Sequence, residues 1–314
     1  MEVVALAGGI GAGKFLRGLV RAVPASSVTA VVNTADDVVI HGLRISPDLD
    51  SVTYWMGDVF DPHRGWGRRE ETFRATEELR AFAAPDAWFG LGDLDLATHL
   101  FRTPQLAAGV PLSAVTARIA ERFGIRTRLL PMTDDIVTTR IGVVESGVET
   151  ELHFQEYWVA RRARDEVKSF RFEGIAAARP APGVLDAIAA ADVLVICPSN
   201  PVVSVGPILA VPGIRDAMAA RRDRVVGVSP IVGGSPLAGM ADRLMPVAGL
   251  EVSALGAARA YRDLLAAWVV DHADAALTAR IAGELSVRAE ATDTIMRDDP
   301  TSEALARFAL GLLA

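Results

Sequence analysis

The chain has 314 residues, 51% of them hydrophobic and 23% charged, which excludes a disordered protein and allows a full core in one or two domains. Its 32 basic and 39 acidic residues give a net charge of −7, which argues against binding to nucleic acid through phosphate contacts. Cys197 is the only cysteine, so an internal disulfide, a CxxC zinc site and an iron–sulfur cluster are excluded.

The first seven residues carry an acid and no basic stretch, so the sequence does not predict a cleaved signal peptide. No uncharged apolar run reaches the ~18 residues that a membrane span requires. We therefore expect a cytoplasmic protein that binds neither a membrane nor nucleic acid.

Short apolar runs and amphipathic runs alternate through the first 135 residues. The apolar runs predict buried strands at 3–7, 28–32 and 88–91. The amphipathic runs predict helices at 14–22, 70–83, 96–107 and 113–123. This alternation is typical of an α/β fold, and we predict a Rossmann-like parallel sheet flanked by helices.

The middle of the chain has a different pattern. Residues 136–155 predict two antiparallel strands around a turn at Gly147, and the arginine-rich stretch 157–167 predicts a lid or an interface. The alternation then resumes, with helices at 183–191, 255–269 and 301–313 and strands at 193–197 and 225–229. We predict that residues 1–135 and 183–314 form the Rossmann-like core and that residues 136–182 form a smaller antiparallel or helical insertion or lid. One continuous domain is the alternative.

A glycine-rich loop follows the first predicted strand and leads into the first predicted helix. It contains Gly8, Gly9, Gly11 and Gly13, followed by Lys14. Such a loop lets the backbone approach a phosphate, whose charge the helix N-terminus favours. Lys14, one of only two lysines in the chain, would add a point charge, with a solvated helix residue as the alternative. Phe15 stands where a P-loop has Ser or Thr, which disfavours a P-loop kinase.

Aspartates are concentrated in four polar clusters in the first half of the chain. The clusters are NTADD (33–37), SPDLDS (46–51), GDLDLATH (92–99) and MTDD (132–135). Carboxylates after a buried strand can hold Mg²⁺ or act as a general base on a hydroxyl. Helix capping is the alternative for any single aspartate, such as Asp93 or Asp95 before helix 96–107. Because four clusters recur, we predict a metal–phosphate site.

Two further groups of polar side chains are candidates for ligand binding. Asp95, His99 and Arg102 share one helix face, where either base can contact a substrate phosphate or ring, and a surface pairing is the alternative. Strand 193–197 is followed by three residues with hydroxyl or amide side chains, which turn chemistry also explains. They are Ser199, Asn200 and Ser204.

Nine segments, in order along nearly the whole chain, resemble the 2-phospho-L-lactate transferase family, also described as CofD-like. They are GGIGAGKF (8–15), NTADD (33–37), HGLRISPDLDSV (41–52), RGWGRREETF (64–73), GLGDLDLATHLFRT (90–103), MTDD (132–135), HFQEYWV (153–159), PSNPVVSVGPIL (198–209) and VSPIVGG (228–234). Any one of them alone is a weak signal, whereas nine in order are highly specific.

The resemblance implies a transferase of coenzyme F-420 biosynthesis and a Rossmann-type homodimer. Such enzymes move a phospholactyl or phosphoenolpyruvyl group from a guanosine diphosphate donor to the ribityl hydroxyl of FO (7,8-didemethyl-8-hydroxy-5-deazariboflavin). GMP leaves, and Mg²⁺ is required. Lactate, enolpyruvate and glycerate all stay open as the acid carried by the donor. Phosphoryl transfer depends on positioning and electrostatics, so the lack of a Ser–His–Asp triad is expected.

The resemblance also implies roles for individual residues. It gives Asp50, Asp36 and Lys14 as catalytic residues and Asp36, Asp37 and Asp50 as metal ligands. It places the donor nucleotide against Gly8, Gly9, Gly11, Gly13, Lys14, Ser199, Asn200 and Ser204. It places FO against Asp50, Asp93, Thr98, His99 and Arg102.

One departure and one alternative accompany the resemblance. Many relatives carry a basic residue after GLGD, where this chain has Leu94. We expect altered acceptor contacts, with Arg102, Arg68 or Arg69 as candidate substitutes. The alternative function is a non-enzymatic regulator that binds a nucleotide sugar on the same kind of sheet.

Overall fold

The computed structural model describes residues 1–313. Along the chain its strands are β1 (Val3–Ala7), β2 (Val28–Val32), β3 (Val38–Ile40), β4 (Leu43–Ile45), β5 (Arg128–Pro131), β6 (Thr138–Glu145), β7 (Val148–His153), β8 (Val167–Glu173), β9 (Val193–Ile196), β10 (Val225–Val228), β11 (Ile231–Val232), β12 (Ser235–Pro236), β13 (Ala267–Asp271) and β14 (Arg288–Thr292). Its α-helices are α1 (Gly9–Ala22), α2 (Pro47–Met56), α3 (Arg74–Ala81), α4 (Asp93–Ala107), α5 (Leu112–Arg122), α6 (Val184–Ala190), α7 (Val205–Ala210), α8 (Ile214–Ala219), α9 (Ala241–Leu244), α10 (Ala254–Arg259), α11 (Thr278–Leu285) and α12 (Asp299–Gly311).

Seven strands form one parallel sheet in the order β14-β13-β10-β9-β1-β2-β5. This arrangement confirms the predicted Rossmann-like α/β fold. In the centre of the sheet, Val3 of β1 pairs with Val28 of β2 on one side and with Val193 of β9 on the other. The strand order runs outward from β1 in both directions, so the loops after β1 and β9 flank a topological switch point. Sheets of this type bind ligands at such a point, outside the carboxyl ends of the strands.

Different layers cover the two faces of the sheet. Because successive strand residues point to opposite faces, Val3 and Ala5 pack with Phe15 of α1 and with residues of α2 and α12. Val4 and Leu6 pack on the other side with α6, α7, α8, α10 and α11. Both cores are nearly closed to solvent, since these β1 side chains are all at most 3% exposed.

Helix α1, which begins in the glycine-rich loop, is held in place by α12. A Cβ atom added at Gly18 would lie 2.2 Å from the backbone carbonyl of Ser302, so the two backbones touch only because residue 18 has no side chain. On the same helix, Arg17 Nη2 lies 2.7 Å from Asp299 Oδ2, and Arg17 Nη1 lies 2.6 Å from Asp58 Oδ1. The start of the chain is therefore fixed by residues about 280 positions away, as the separation of 282 between Arg17 and Asp299 illustrates.

A second sheet, antiparallel and in the order β7-β6-β8, lies in the middle of the chain. Its β6–β7 turn contains Ser146 and Gly147, both with positive φ (52° and 83°), and confirms the two antiparallel strands predicted there. Ile141 and Val143 of β6 pack into the core beside the main sheet. The predicted lid at 157–167 overlaps a π-helical turn (Glu156–Ala160) that leads into β8.

Two predicted elements are wrong. Residues 88–91 form a turn rather than a strand, and the apolar character there reflects a small cluster in which Leu91 packs with Ile40 and Ile45. Residues 255–269 are not one helix, because α10 ends at Arg259 and the buried strand β13 begins at Ala267. No helix within residues 1–313 is both long and apolar enough to cross a membrane.

Candidate active site

The glycine-rich loop and the loop after β9 meet at the switch point. Ser199 Oγ donates a hydrogen bond to the carbonyl of Gly8 (2.8 Å). A Cβ atom added at Gly11 would lie 2.4 Å from the carbonyl oxygen of Pro198, and one added at Gly8 would lie 2.6 Å from Ser204 Cβ. Glycine is therefore required for this close approach, which brings together four residues of the predicted donor site.

The N-terminus of α1 opens toward this meeting point. Gly8 precedes the helix without a side-chain cap, and Gly9 has a φ of +69°, a conformation that favours glycine. Free amides at a helix N-terminus attract anions. The carboxylate of Asp48, from the first turn of α2, lies at this N-terminus, where its Oδ2 would be 2.9 Å from a Cβ atom added at Gly8. An acid from this chain therefore occupies a position that suits an anion.

Three other residues of the predicted donor site make contacts that are not part of this close approach between the two loops. A Cβ atom at Gly13 would meet Trp55 Cδ1 at 2.4 Å, so this glycine serves the packing of α1 against α2. The ammonium of Lys14 lies 5.9 Å from the centre of the Trp55 ring. The Asn200 side-chain oxygen accepts the amide of Val202 (2.9 Å) and so closes its own turn.

Asp36 and Asp48 come together on one side-chain amide. Asn33 Nδ2 donates to Asp48 Oδ2 (2.9 Å), to Asp36 Oδ2 (3.2 Å) and to the carbonyl of Val203 (3.2 Å). Burial raises the pKa of Asp36 well above its usual range, and the neighbouring charge of Asp48 adds to this rise. Burial also raises the pKa of Asp48, to about 6. The two carboxyl groups therefore form a buried acidic pair beside the glycine-rich loop.

Asp37 lies beside this pair but has different partners. Its Oδ2 accepts the hydroxyl of Ser46 (2.6 Å), and its backbone carbonyl lies 3.1 Å from His153 Nε2. Its Oδ1 is buried and has no hydrogen-bond partner among residues 1–313. Burial raises the pKa of the Asp37 carboxyl to about 8, despite the opposing hydrogen bond from Ser46.

Asp50 forms an ion pair with Arg102. The guanidinium of Arg102 contacts both carboxylate oxygens of Asp50, with a distance of 3.0 Å from Nη1 to Oδ2. The Ser46 amide lies 3.3 Å from the same Oδ2. Because Arg102 and Asp50 are only 2% and 5% exposed, this is a buried ion pair at the base of the acidic cluster.

The remaining predicted acceptor residues lie on α4. Thr98 and His99 are buried and point toward α2, where Thr98 Oγ1 lies 2.9 Å from the hydroxyl of Tyr54. Asp93 is near the surface, accepts hydrogen bonds from Thr72 and from the amide of Ala75 (3.1 Å), and thereby caps α3. The structure thus brings Asp50, His99 and Arg102 together and leaves Asp93 outside that group.

A cavity of about 460 Å³ lies next to Asp37, between the ends of β2 and β5. Its walls combine apolar and charged side chains and come from the β3–β4 hairpin, the α4–α5 loop and the segment after β5. The apolar lining includes Val38, Leu106, Val110, Pro111 and Ile136, and Asp37, Arg44 and His153 are among its polar residues. Cavities of roughly 300–1,000 Å³ with a few polar groups bind small organic ligands.

A magnesium ion fits the acidic pair. Within residues 1–313 no three His, Cys, Asp or Glu side chains are arranged to hold a metal, but Mg²⁺ is commonly bound by one or two carboxylates plus substrate phosphates. Asp36 and Asp48 provide two carboxylates, and Asp36 Oδ1 is buried without a hydrogen-bond partner in the described part of the chain. A cation there would favour the ionised forms that burial opposes.

Asp48 and Asn33 are the site residues that sequence reasoning missed. Both lie in polar clusters that the sequence indicates, NTADD and SPDLDS, but the resemblance implies a role for Asp50 rather than for Asp48. The two aspartates are two positions apart on α2, so they point in different directions. Asp48 faces the glycine-rich loop and Asp50 faces α4. The helix signal was present, since Ser46-Pro47 is a typical helix start.

Comparisons with known proteins agree along the whole chain. Residues 3–302 match the family model described as 2-phospho-L-lactate transferase CofD. The phosphoenolpyruvate transferase of Streptomyces griseus is 48% identical over 313 residues, covering 99% of this chain and 98% of that protein. The phosphoenolpyruvate transferase of Thermobifida fusca is 48% identical over 321 residues, with the same coverage.

A solved structure supports the fold. A UPF0052 family protein from Bacillus halodurans superposes with a TM-score of 0.63 at 19% identity, covering 97% of this chain and 98% of that one. At this identity the likeness concerns the architecture alone.

Proposed function

This chain belongs to the 2-phospho-L-lactate transferase CofD family and is a transferase of coenzyme F-420 biosynthesis; we propose that it transfers a phosphoenolpyruvyl group from a guanosine diphosphate donor to the ribityl hydroxyl of FO, releasing GMP. The names of the 48% identical relatives favour enolpyruvate over lactate as the three-carbon acid. The observation that carries the proposal is the adjacency of the glycine-rich loop, the Asp36–Asp48 pair and the 460 Å³ cavity.

The donor binds where the two loops meet. The amides at the start of α1 face its diphosphate, and Ser199 and Ser204 lie on the other side of the same opening. Asp36 and Asp48 would repel this anion if they stood alone. They would instead hold Mg²⁺, which when bound neutralises charge on the diphosphate. The fit of a cation between two carboxylates and a diphosphate supports this assignment.

FO binds in the cavity beside Asp37. The apolar part of the lining suits its flat three-ring system, and the cavity opens between the ends of β2 and β5 next to the acidic cluster. From there its ribityl chain reaches toward Asp37 and the donor. Transfer then needs mainly alignment and charge neutralisation, as is general for phosphoryl transfer.

The ribityl oxygen of FO forms a new bond to the phosphorus that carries the enolpyruvyl group, and the P–O bond to GMP breaks. The electron pair of that bond leaves with GMP. The hydroxyl proton passes to the ionised carboxylate of Asp37, which lines the cavity and whose Oδ1 has no hydrogen-bond partner within residues 1–313. A bound cation beside this carboxylate would favour the ionised form, which burial alone opposes.

The test measures GMP formation from enolpyruvyl-diphospho-5'-guanosine in the presence and absence of FO, with the lactyl donor in parallel. We expect GMP only when FO and Mg²⁺ are both present, and a faster reaction with the enolpyruvyl donor. A protein that binds FO and the donor but forms no GMP would be a binding protein, and the proposal would fail. The homodimer stays a prediction, which sedimentation of the purified protein tests.

A further inference from the structure

Helices α2 and α4 are joined by a closed circuit of buried polar side chains. Asp50 and Tyr54 lie one turn apart on α2, and Asp95, His99 and Arg102 occupy successive turns of α4. From Asp50 the circuit passes through Arg102 to His99, then to Asp95 and Tyr54, and so back to α2. These five residues are between 1% and 7% exposed.

The contacts along the circuit are short. Arg102 Nη1 lies 3.2 Å from His99 Nδ1, and His99 Nε2 lies 3.3 Å from Asp95 Oδ1, a close contact without ideal alignment. The hydroxyl of Tyr54 donates to Asp95 Oδ1 at 2.5 Å. Apolar contacts alone are enough to hold two helices together. Replacing a buried ion pair by well-packed hydrophobic residues often leaves the stability of a protein unchanged or increases it. A circuit of this kind does more than pack, because it fixes the orientation of each member.

His99 has only one suitable protonation pattern in this position. Arginine has no acceptor and stays protonated, so Nδ1 of His99 must accept from Arg102. The ring proton is then on Nε2, which lies 3.3 Å from the carboxylate of Asp95. The His99 imidazole, with Nδ1 bare, therefore connects Asp95 to Arg102, which lies on a later turn of α4.

The circuit is connected to the proposed acceptor site through Asp50. Arg102 fixes both oxygens of Asp50, and Asp50 Oδ2 lies 3.3 Å from the Ser46 amide. The hydroxyl of the same Ser46 donates to Asp37 (2.6 Å), which lines the cavity. Arg102 is therefore connected to Asp37 through two intermediate residues, Asp50 and Ser46.

We propose that His99, Asp95 and Tyr54 are positioning residues for the transfer reaction: they orient Arg102, and through Asp50 and Ser46 they hold Asp37 at the acceptor hydroxyl. This assignment rests on the proposed function. It differs from the sequence expectation that His99 and Arg102 touch FO, because both act here from inside the protein.

Two substitutions of His99 separate its two contacts. In His99→Asn the amide oxygen replaces Nδ1 and still accepts from Arg102, whereas in His99→Gln the amide nitrogen replaces Nε2 and keeps only the contact to Asp95. We expect kcat to fall by about 100-fold in His99→Gln and by less than about 10-fold in His99→Asn, with the KM of the guanosine donor unchanged in both. A role in stability alone predicts that activity follows the melting temperature and that the two variants do not differ in this order.

A third variant keeps the imidazole in place. Tyr54→Phe removes only the hydroxyl that donates to Asp95, and we expect kcat to fall by about 10-fold. Tyr261→Phe is the matched control, because its hydroxyl is also buried, lacks a partner within residues 1–313 and lies beside Trp268 in the core. Equal activity of these two variants would overturn the proposal.

A spectroscopic measurement needs no substrate. In protein labelled with ¹⁵N-histidine, with the His99 signals assigned from the His99→Asn spectrum, we expect Nε2 to be protonated and Nδ1 to be bare. A proton on Nδ1 would overturn the proposal even in an active enzyme. Conversely, the expected tautomer in a protein that forms no GMP would count against the proposed function and leave the circuit intact.

Discussion

Arg102 and Asp50 form an ion pair inside the protein, with the guanidinium of α4 against both carboxylate oxygens of α2. Asp50→Asn would leave a charged guanidinium buried without its counter-ion. Breaking a buried pair in this way costs about 3–5 kcal/mol, so we expect the urea midpoint to fall clearly. Glu151→Gln, which breaks the exposed pair with Arg171, is the control and should leave the midpoint unchanged. An unaltered midpoint in Asp50→Asn would mean that Asp50 does not hold Arg102.

Asp48→Asn should behave in the opposite way. This residue has a hydrogen bond from Asn33 but no ion pair among the described residues, and burial raises its pKa to about 6. Removing its charge therefore costs no stability at neutral pH, while we expect kcat to fall by about 100-fold because the metal and diphosphate lose a ligand. Thermal unfolding and GMP release measure the two effects. The control is Asp223→Asn, because Asp223 lies directly before β10, at the amino ends of the strands and so opposite the candidate site. Full activity of Asp48→Asn would remove this residue from the site.

The acidic cluster makes stability depend on pH. Burial raises the pKa of Asp37 from 3.8 to about 8, so the folded protein keeps a proton there that the unfolded chain has lost. The free energy of unfolding therefore decreases as pH rises between these two values. In the metal-free protein we expect Asp37→Asn to raise the melting temperature at pH 8 by about 2–4 °C and to have less effect at pH 5. A variant that melts with the same difference between pH 5 and pH 8 as the parent protein would contradict this.

Gly11→Ala tests the close approach of the two loops. The added methyl group would lie 2.4 Å from the carbonyl of Pro198, so the loop that carries Ser199 must move away from α1. We expect the KM of the guanosine donor to rise about 10-fold, since each lost contact of roughly 1.4 kcal/mol changes affinity by that factor. Gly283→Ala in α11, where the methyl group meets nothing within 4 Å, is the matched control. Equal KM values for the two variants would place the donor elsewhere.

Val110→Trp tests the cavity as the acceptor site. The indole would fill part of the 460 Å³ between the α4–α5 loop and the β3–β4 hairpin. We expect the dissociation constant of FO, followed by its fluorescence, to rise by at least about 10-fold, because overpacking displaces the ligand. Phe82→Trp adds an indole at a side chain that is 80% exposed and should leave binding unchanged. Unchanged FO affinity in Val110→Trp would exclude this cavity.

The central strands could be predicted from sequence, and the edge strands could not. β1 and β2 are buried on both faces and are therefore continuous apolar runs, which are easy to recognise. β14 lies at the edge of the sheet, none of its five residues is fully buried, and its sequence RAEAT has no apolar run. β13 lies where the sequence predicts the end of a helix, because short apolar runs do not distinguish a buried strand from a buried helix.

The site was predictable in its elements but not in its geometry. The glycine-rich loop, the NTADD cluster and Ser199 lie together as expected, because loops after neighbouring parallel strands share one edge of the sheet. The choice between Asp48 and Asp50 depends on which side of α2 faces α1, and that is decided by contacts such as Trp55 against Gly13. A single sequence contains no direct signal for such a contact.

The packing of α12 on α1 has a consequence for biosynthesis. Helix α1, which we propose to bind the donor, is translated well before its supports at Asp299 and Ser302, since Arg17 and Asp299 are 282 positions apart. Contacts of such high sequence separation slow folding, because a long loop must close before they form. We therefore expect the nascent chain to acquire nucleotide affinity only after α12 has been translated and has docked on α1.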